Sequence, residues 1–362
     1  MAEFVTKHAR ISGIATVTGN IRKRLDEELD IYGWDAEQAE RLKKTIGFDT
    51  RYVTDETTTT CDLCEQAAKK LLRELGLDAQ DIGAIVSVTQ TPDYFMPGNA
   101  HILHERLGLA KSSMAMDLEF GCSGYVYGLL TAFLLAENSK KNVLLVTGDT
   151  LSKLAHPRDR SEAPLFGDAG SATLISYSEK ESPAYFLMRS DGTGVKKMYQ
   201  PAGAYRIRPS EETRKEIDDG EGNIRTAENI YMNGFEIFNF TLSEQPRMLN
   251  DILALAGKEK DDIDYFVLHQ ANVYIVETIL RKAKISLDKA PSKVFSKYGN
   301  QNSASVPGAF CADLHDKLTG KKSRAVLLGY GIGLSWGACC LELDDVKCLE
   351  MVPYQKEGNQ NG

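Results

Sequence analysis

Apolar and polar positions along the 362-residue chain follow two rhythms. The first is the short run that is apolar almost throughout. "GAIVSV" inside 75–90, "NVLLVTG" at 142–148, "GSATLISY" at 170–177, "DYFVL" before position 269, "AVLLGYG" at 325–331 and "WGACCLEL" at 336–343 are of this kind. Runs this short, bounded by glycine and polar residues and rich in β-branched side chains, predict strands buried on both faces. The second rhythm is helical. "CEQAAKKLLREL" at 64–75 places apolar residues at helical spacing. "GYVYGLLTAFLLAE" at 124–137 is apolar nearly all round, which predicts a central, buried helix. "VPGAFCADLHDKL" at 306–318 carries Pro307 where a helix tolerates it, in its first turn. Strands alternating with helices predict an α/β fold with buried sheets.

The two rhythms repeat. Asp81-Ile82, ahead of one apolar run, falls on Asp262-Ile263 ahead of another at an offset of 181 residues. At nearly the same offset "NVLLVTG" meets "AVLLGYG", and each is followed by a further strand. The chain therefore reads as two similar halves. Residues 1–180 form the first and 229–346 the second. Residues 181–228, highly charged in "RPSEETRKEIDDGEGNIRTAEN", read as an inserted connection or lid, and 347–362 as a polar tail. The same offset sets Cys122 against Ser303 and Val88 against His269, so polar stretches stand at matching element ends. Halves facing one another across a pseudo-dyad bring Cys122 to the loop Asn300–Ser305.

Composition narrows the function. A net charge of −8 with no lysine/arginine stripe argues against nucleic acid as a partner. Ala325–Leu341, the longest uncharged stretch near the C-terminus, is too short and too broken by glycine to span a bilayer. Seven scattered cysteines, with no apolar export signal at the start of the sequence, point to a reduced, cytoplasmic setting.

Three residues are candidates for chemistry. Cys122 lies between Gly121 and Gly124 where the strand "SMAMDLE" gives way to a helix. A thiol there feels the positive helix end, which favours the thiolate. An inert core cysteine fits the same stretch equally well. His269 closes the strand "DYFVL", and its polar neighbours Gln270 and Asn272 suggest exposure at the sheet edge. A structural histidine is the plainer alternative. Asn300 sits in "KYGNQNS", where a turn or cap asparagine is the commoner meaning.

Taken together, "GCSGYVYGL", "VLHQAN", "YGNQNSASVP" and "GYGIGLSWGA", in this order, resemble the β-ketoacyl-acyl-carrier-protein synthase III family of thiolase-like condensing enzymes. The resemblance runs from about Ser12 to Leu343. It implies a five-layered α-β-α-β-α fold of two similar halves and a homodimer. It implies Cys122 as the nucleophile that takes an acyl group, with His269 and Asn300 binding the carbonyl of an incoming malonyl thioester. The main-chain N–H groups of Cys122 and Ile332, the latter in the Gly331–Gly333 turn, form the acyl oxyanion hole in this reading. The reaction implied is loading from an acyl thioester, then decarboxylative condensation with malonyl-acyl-carrier protein. No cofactor is permanently bound and no metal is required; acyl-CoA or acyl-carrier protein supplies the thioester.

Other positions follow the resemblance less closely. Ile332 stands where glycine is usual. Arg160 matches an arginine that holds coenzyme A. "ERLKKTI" lacks the adenine-clamping tryptophan and arginine, leaving Lys44 as a substitute charge. Met96 matches a side chain that enters the partner subunit's acyl pocket. Arg281 and Lys282 form a basic pair for docking the carrier protein, where Tyr274 replaces a basic residue. Two other functions remain in play: transfer of the acyl group to an amine or alcohol, and a non-catalytic binding subunit. "GLSWG" at 333–337 mimics a serine-hydrolase elbow, but a strand follows it and every histidine precedes Ser335. Cys61 and Cys64 read as ordinary thiols on a helix, and His101 and His104 lack a ligand set.

Overall fold

The structure is a computed structural model and describes residues 2–356. Two sheets carry the molecule. In the first, Ile82–Val88 lies between Met114–Leu118 and Asn142–Asp149, parallel to both; Ala169–Tyr177 and then Ala9–Thr18 continue antiparallel. In the second, Tyr265–Leu268 is parallel to Lys322–Gly331, and Ser335–Asp344 and Ala184–Ser190 continue antiparallel, with Ala2–Thr6 at the far edge. Four strands of each sheet thus share one order and one set of directions, the structural form of the duplication.

Period-two alternation sets the layers. Val86, Val88, Val143 and Leu145 point inward, whereas Ile85, Leu144 and Val146 point outward beneath the helices Thr60–Leu75 and Asn99–Arg106. Leu327 points inward, and Val326 and Leu328 face the helices Gly234–Ala256 and Val273–Lys282. Between the sheets lie the helices Gly124–Ser139 and Ser305–Asp313, whose Tyr125, Leu129, Phe133 and Phe310 are buried. Each such side chain contributes about 1.5–3 kcal/mol through burial. The result is the five-layered α-β-α-β-α thiolase-like fold. Gly128 lets the central helix close on the first sheet: a Cβ there would stand 2.7 Å from Leu145.

Two boundaries differ from the sequence expectation. Ala184–Ser190, assigned to the charged connection, is a sheet strand paired on both edges, and its Phe186 and Leu187 are buried. The charge of the following segment hid this apolar run. The tail also contributes structure: Lys347–Cys348 and Val352–Pro353 both pair with Ala9–Thr18. The helix that holds Cys61 and Cys64 begins at Thr60, behind a capping box formed by Thr59 and Asp62. The rest of the connection forms short paired strands, Met198–Tyr199 with Tyr231–Met232 and Ile217–Asp218 with Ile224–Arg225. It docks on the loop around residue 160 through Arg225 Nε, 3.0 Å from Asp159 Oδ2.

Candidate active site

The central helix begins at Gly124, and the turn before it is closed by the Gly124 N–H donating to the Gly121 oxygen at 2.7 Å. This turn places Cys122 between the sheets, 5% exposed. The last residues of Lys322–Gly331 press directly on it. A Cβ on Gly331 would lie 2.7 Å from Cys122 Cβ and 3.1 Å from its Sγ, and one on Gly329 would lie 2.9 Å from Ser123 Cα. These positions therefore require glycine for close approach. The Gly331–Gly333 turn is held by Ser335, whose hydroxyl donates to the Ile332 oxygen at 2.8 Å and meets the Ser123 hydroxyl at 2.6 Å.

Burial pushes the Cys122 thiol up to about 12; the negative charge of Asp149 adds to this, and the residue's own main-chain N–H opposes it. Desolvation thus works against the stabilisation of a thiolate that the helix end offers. The thiol proton instead has an acceptor: Sγ donates to Asn302 Oδ1 at 2.9 Å.

His269 is not exposed at a sheet edge, as its neighbours suggested, but 2% exposed. The strand that carries it ends inside the molecule, beside Tyr330 and the Asn302 main chain. Its N–H donates to the Leu328 oxygen at 2.7 Å, and its ring stands edge-on to Tyr330 at 5.2 Å. Burial lowers its pKa to about 3, against a hydrogen bond to the Asn302 main chain that raises it. The imidazole is therefore neutral at physiological pH.

Asn300 is held through its main chain: its N–H donates to the Leu165 oxygen at 2.8 Å and its oxygen accepts from the Gly167 N–H at 3.0 Å. Its side-chain Oδ1 accepts the Asn302 N–H at 3.0 Å. Ser303, the residue set against Cys122 by the half-chain offset, is tied to the other half by Asp149. The Asp149 Oδ2 accepts from the Ser303 hydroxyl at 2.5 Å, while Oδ1 accepts from the Gln90 N–H at 2.8 Å and the Thr89 hydroxyl at 3.1 Å. Burial raises Asp149 to about 6, with the Ser303 hydroxyl the leading opposing contact. Asp149 and Asn302 were not singled out in the sequence. The signals were present: an aspartate closing the apolar run "NVLLVTGD", and a second asparagine next to the position opposite Cys122.

The remaining candidates outside the Gly331–Gly333 turn lie apart from this centre. Met96 is 75% exposed. Lys44 is exposed and paired with Glu40 at 3.3 Å. Arg160 donates to the Glu221 main-chain oxygen of the charged connection. Arg281 is exposed beside Glu277, and Lys282 donates to the Leu242 oxygen at 3.2 Å. Gly333 and Ile332 line a groove of about 260 Å³ with Gln90, Phe120, Ser190 and Leu334. Cys61 and Cys64 are buried on their helix, and burial pushes both thiols well up. Among the described residues no group of three or more His, Cys, Asp or Glu could hold a metal ion, and no helix is long and apolar enough to cross a membrane.

This fold and this centre, a cysteine at the head of the buried helix facing a histidine and an asparagine loop from the second half, define a thiolase-fold condensing enzyme. The chain belongs to the 3-oxoacyl-acyl-carrier-protein synthase III family. The family's profile matches at residues 116–192, and the profile of its C-terminal part matches at 253–343. A Campylobacter jejuni protein, provisionally assigned as 3-oxoacyl-acyl-carrier-protein synthase 3, is 37% identical over 350 residues, 96% of this chain and 98% of that protein. Bacillus cereus β-ketoacyl-acyl-carrier-protein synthase III 1 is 33% identical over 304 residues, 83% of this chain and 89% of its own. The crystal structure of a 3-oxoacyl-acyl-carrier-protein synthase from Burkholderia xenovorans superposes with a TM-score of 0.90 at 33% identity, covering 97% of this chain and 99% of that one.

Proposed function

We propose that the protein is a 3-oxoacyl-acyl-carrier-protein synthase: an acyltransferase that loads an acyl group on Cys122 and extends it by decarboxylative condensation with malonyl-acyl-carrier protein. The observation that carries this reading is the buried Cys122 thiol at the head of the central helix, with neutral His269 in the facing half. Loading exchanges thioesters. The Cys122 sulfur bonds to the acyl carbon, the carbon–sulfur bond of the donor breaks, and the cysteine proton leaves on the released thiol. In the second step the malonyl thioester loses CO2 and becomes an enolate, whose oxygen needs hydrogen-bond donors. The neutral His269 ring and the Asn300 side chain supply them without a formal charge. The enolate carbon then attacks the acyl carbon. Collapse of the tetrahedral adduct expels the cysteine sulfur, which takes up a proton and is a thiol again. The main-chain N–H groups of Cys122 and Ile332 hold the adduct's oxygen, with Gly331 and Gly333 shaping the turn.

On this reading coenzyme A or the carrier protein approaches past Arg160 and Lys44. Carrier protein docks near Arg281 and Lys282, and no metal or permanently bound cofactor takes part. The enzyme acts in the cytoplasm as a homodimer. Two features support the dimer. The strand Met114–Leu118 leaves one edge of the first sheet unpaired and exposes Met114, and Tyr94, Phe95 and Met96 form an exposed apolar loop. Intact-mass and peptide mass spectrometry after incubation with acyl-CoA and acyl-carrier-protein donors test the loading step. An acyl adduct on Cys122 is expected with at least one donor; no adduct with any donor overturns the covalent route.

A further inference from the structure

The Asn302 side chain is in contact with Cys122. It is 1% exposed, its Oδ1 takes the Cys122 thiol proton at 2.9 Å, and its Nδ2 is buried with no hydrogen-bond partner among the described residues. A buried amide nitrogen without a partner is costly, and native proteins keep such groups where something else completes them. Beside a thiol that accepts acyl groups, the missing acceptor is a carbonyl oxygen of the substrate. The local backbone is built for this placement. Asn302 adopts a left-handed φ of 49°, a conformation that asparagine enters more readily than most residues. That turn is fixed by the Asn302 N–H donating to Asn300 Oδ1 at 3.0 Å and by the clamp of Asp149 on Ser303.

We propose that Asn302 is a catalytic residue of this protein, holding the thiol proton through Oδ1 in the resting enzyme and presenting Nδ2–H to the thioester carbonyl that becomes the enolate. It joins the Asn300 side chain and the His269 ring as a further donor to that oxygen, and Asn300 Oδ1 also fixes its main chain. This rests on the condensation reading above. Once Cys122 is acylated its sulfur carries no proton, the contact to Oδ1 loses its donor, and the carboxamide is free to turn its N–H groups to substrate. A single side chain thereby distinguishes the empty from the loaded nucleophile.

Two variants separate its two faces. Asn302→Gly keeps a backbone suited to positive φ and removes both faces; Asn302→Asp keeps an acceptor and removes the donor. Release of CO2 from malonyl-acyl-carrier protein is measured in each, with circular dichroism to show the fold is retained. Both variants are expected to lose about 100-fold or more, the cost of removing one oxyanion donor. Alkylation of Cys122 by iodoacetamide is followed against pH in parallel. Asp149 and Tyr330 also bear on the thiol and are unchanged in every variant. The Asn302→Gly profile is expected about one pH unit below the parent's, since a hydrogen bond to the protonated form is lost. The Asn302→Asp profile moves the other way, because a carboxylate beside Sγ opposes ionisation. Opposite shifts are not produced by general loosening of the loop. CO2 release within about threefold of the parent in either folded variant, or profiles that coincide or move together, overturns the assignment. A parent enzyme that releases no CO2 and acylates from no donor overturns the condensation reading instead, and the catalytic role of Asn302 falls with it.

Discussion

At the scale of single residues, the candidate site combines a buried cysteine whose pKa is raised with a buried histidine whose pKa is lowered. Burial causes both, since it penalises the charged form of each group. For His269 the consequence for stability has a definite sign. Its folded pKa, about 3, lies below the ordinary value of 6.5, so its contribution is complete above pH 6.5 and is lost as pH falls towards 3. Urea unfolding of the parent and of His269→Asn between pH 6.5 and 4 checks this. The advantage of the parent over the variant is expected to shrink by roughly 1.4 kcal/mol per pH unit; parallel curves count against a buried neutral imidazole. Gly331 gives a second test. A methyl group 2.7 Å from Cys122 Cβ must displace the nucleophile, so Gly331→Ala should slow Cys122 acylation about 100-fold while leaving the fold intact. Acylation kinetics by mass spectrometry read the effect, and a rate within threefold of the parent contradicts the contact. Cys122, His269 and the glycine turn were legible in the sequence because each stands where an apolar run stops. The burial of His269 was not, because the residues beside it, Tyr330 and Asn302, are remote from it in sequence. Nor was Asn302: two asparagines two residues apart look alike until a left-handed backbone directs one of them to the sulfur.

At the scale of elements, the alternation of strand and helix carried the architecture, and the apolar surround of Gly124–Ser139 marked the layer between the sheets. Charge misled in one place. The stretch after residue 208 is so polar that the apolar strand Ala184–Ser190 before it was grouped with it. The connection is also not merely solvated. Arg225 stands 3.0 Å from Asp159 Oδ2, and Glu162, buried with Asp159, is raised to about 8 by burial and by that neighbour's charge. Removing the cation leaves the buried Asp159 carboxylate without its partner, beside a Glu162 that burial already raises. Arg225→Met is expected to cost on the order of 3 kcal/mol. Thermal unfolding combined with limited proteolysis should show 217–225 released first; an unchanged melting temperature and cleavage pattern would mean that this ion pair does not anchor the segment.

At the scale of the whole molecule, the two halves are complete only together. Each supplies one sheet, the termini cross to the opposite sheets, and the candidate site lies where the half carrying Cys122 meets the half carrying His269 and Asn302. The unpaired apolar edge Met114–Leu118 and the exposed Tyr94–Met96 loop extend this logic to a second copy. Light scattering should report twice the 40.0 kDa chain mass, and Phe95→Asp combined with Met114→Lys should shift it towards one. A parent that is monomeric at micromolar concentration excludes the dimer. The most direct test of the central claim supplies purified protein with an acyl donor and malonyl-acyl-carrier protein and follows CO2 and the carrier-bound product by mass spectrometry. Condensation predicts equal amounts of CO2 and 3-oxoacyl-acyl-carrier protein, abolished in Cys122→Ala. Transfer of the Cys122 acyl group to an amine or alcohol without CO2, or full condensation by Cys122→Ala, contradicts it.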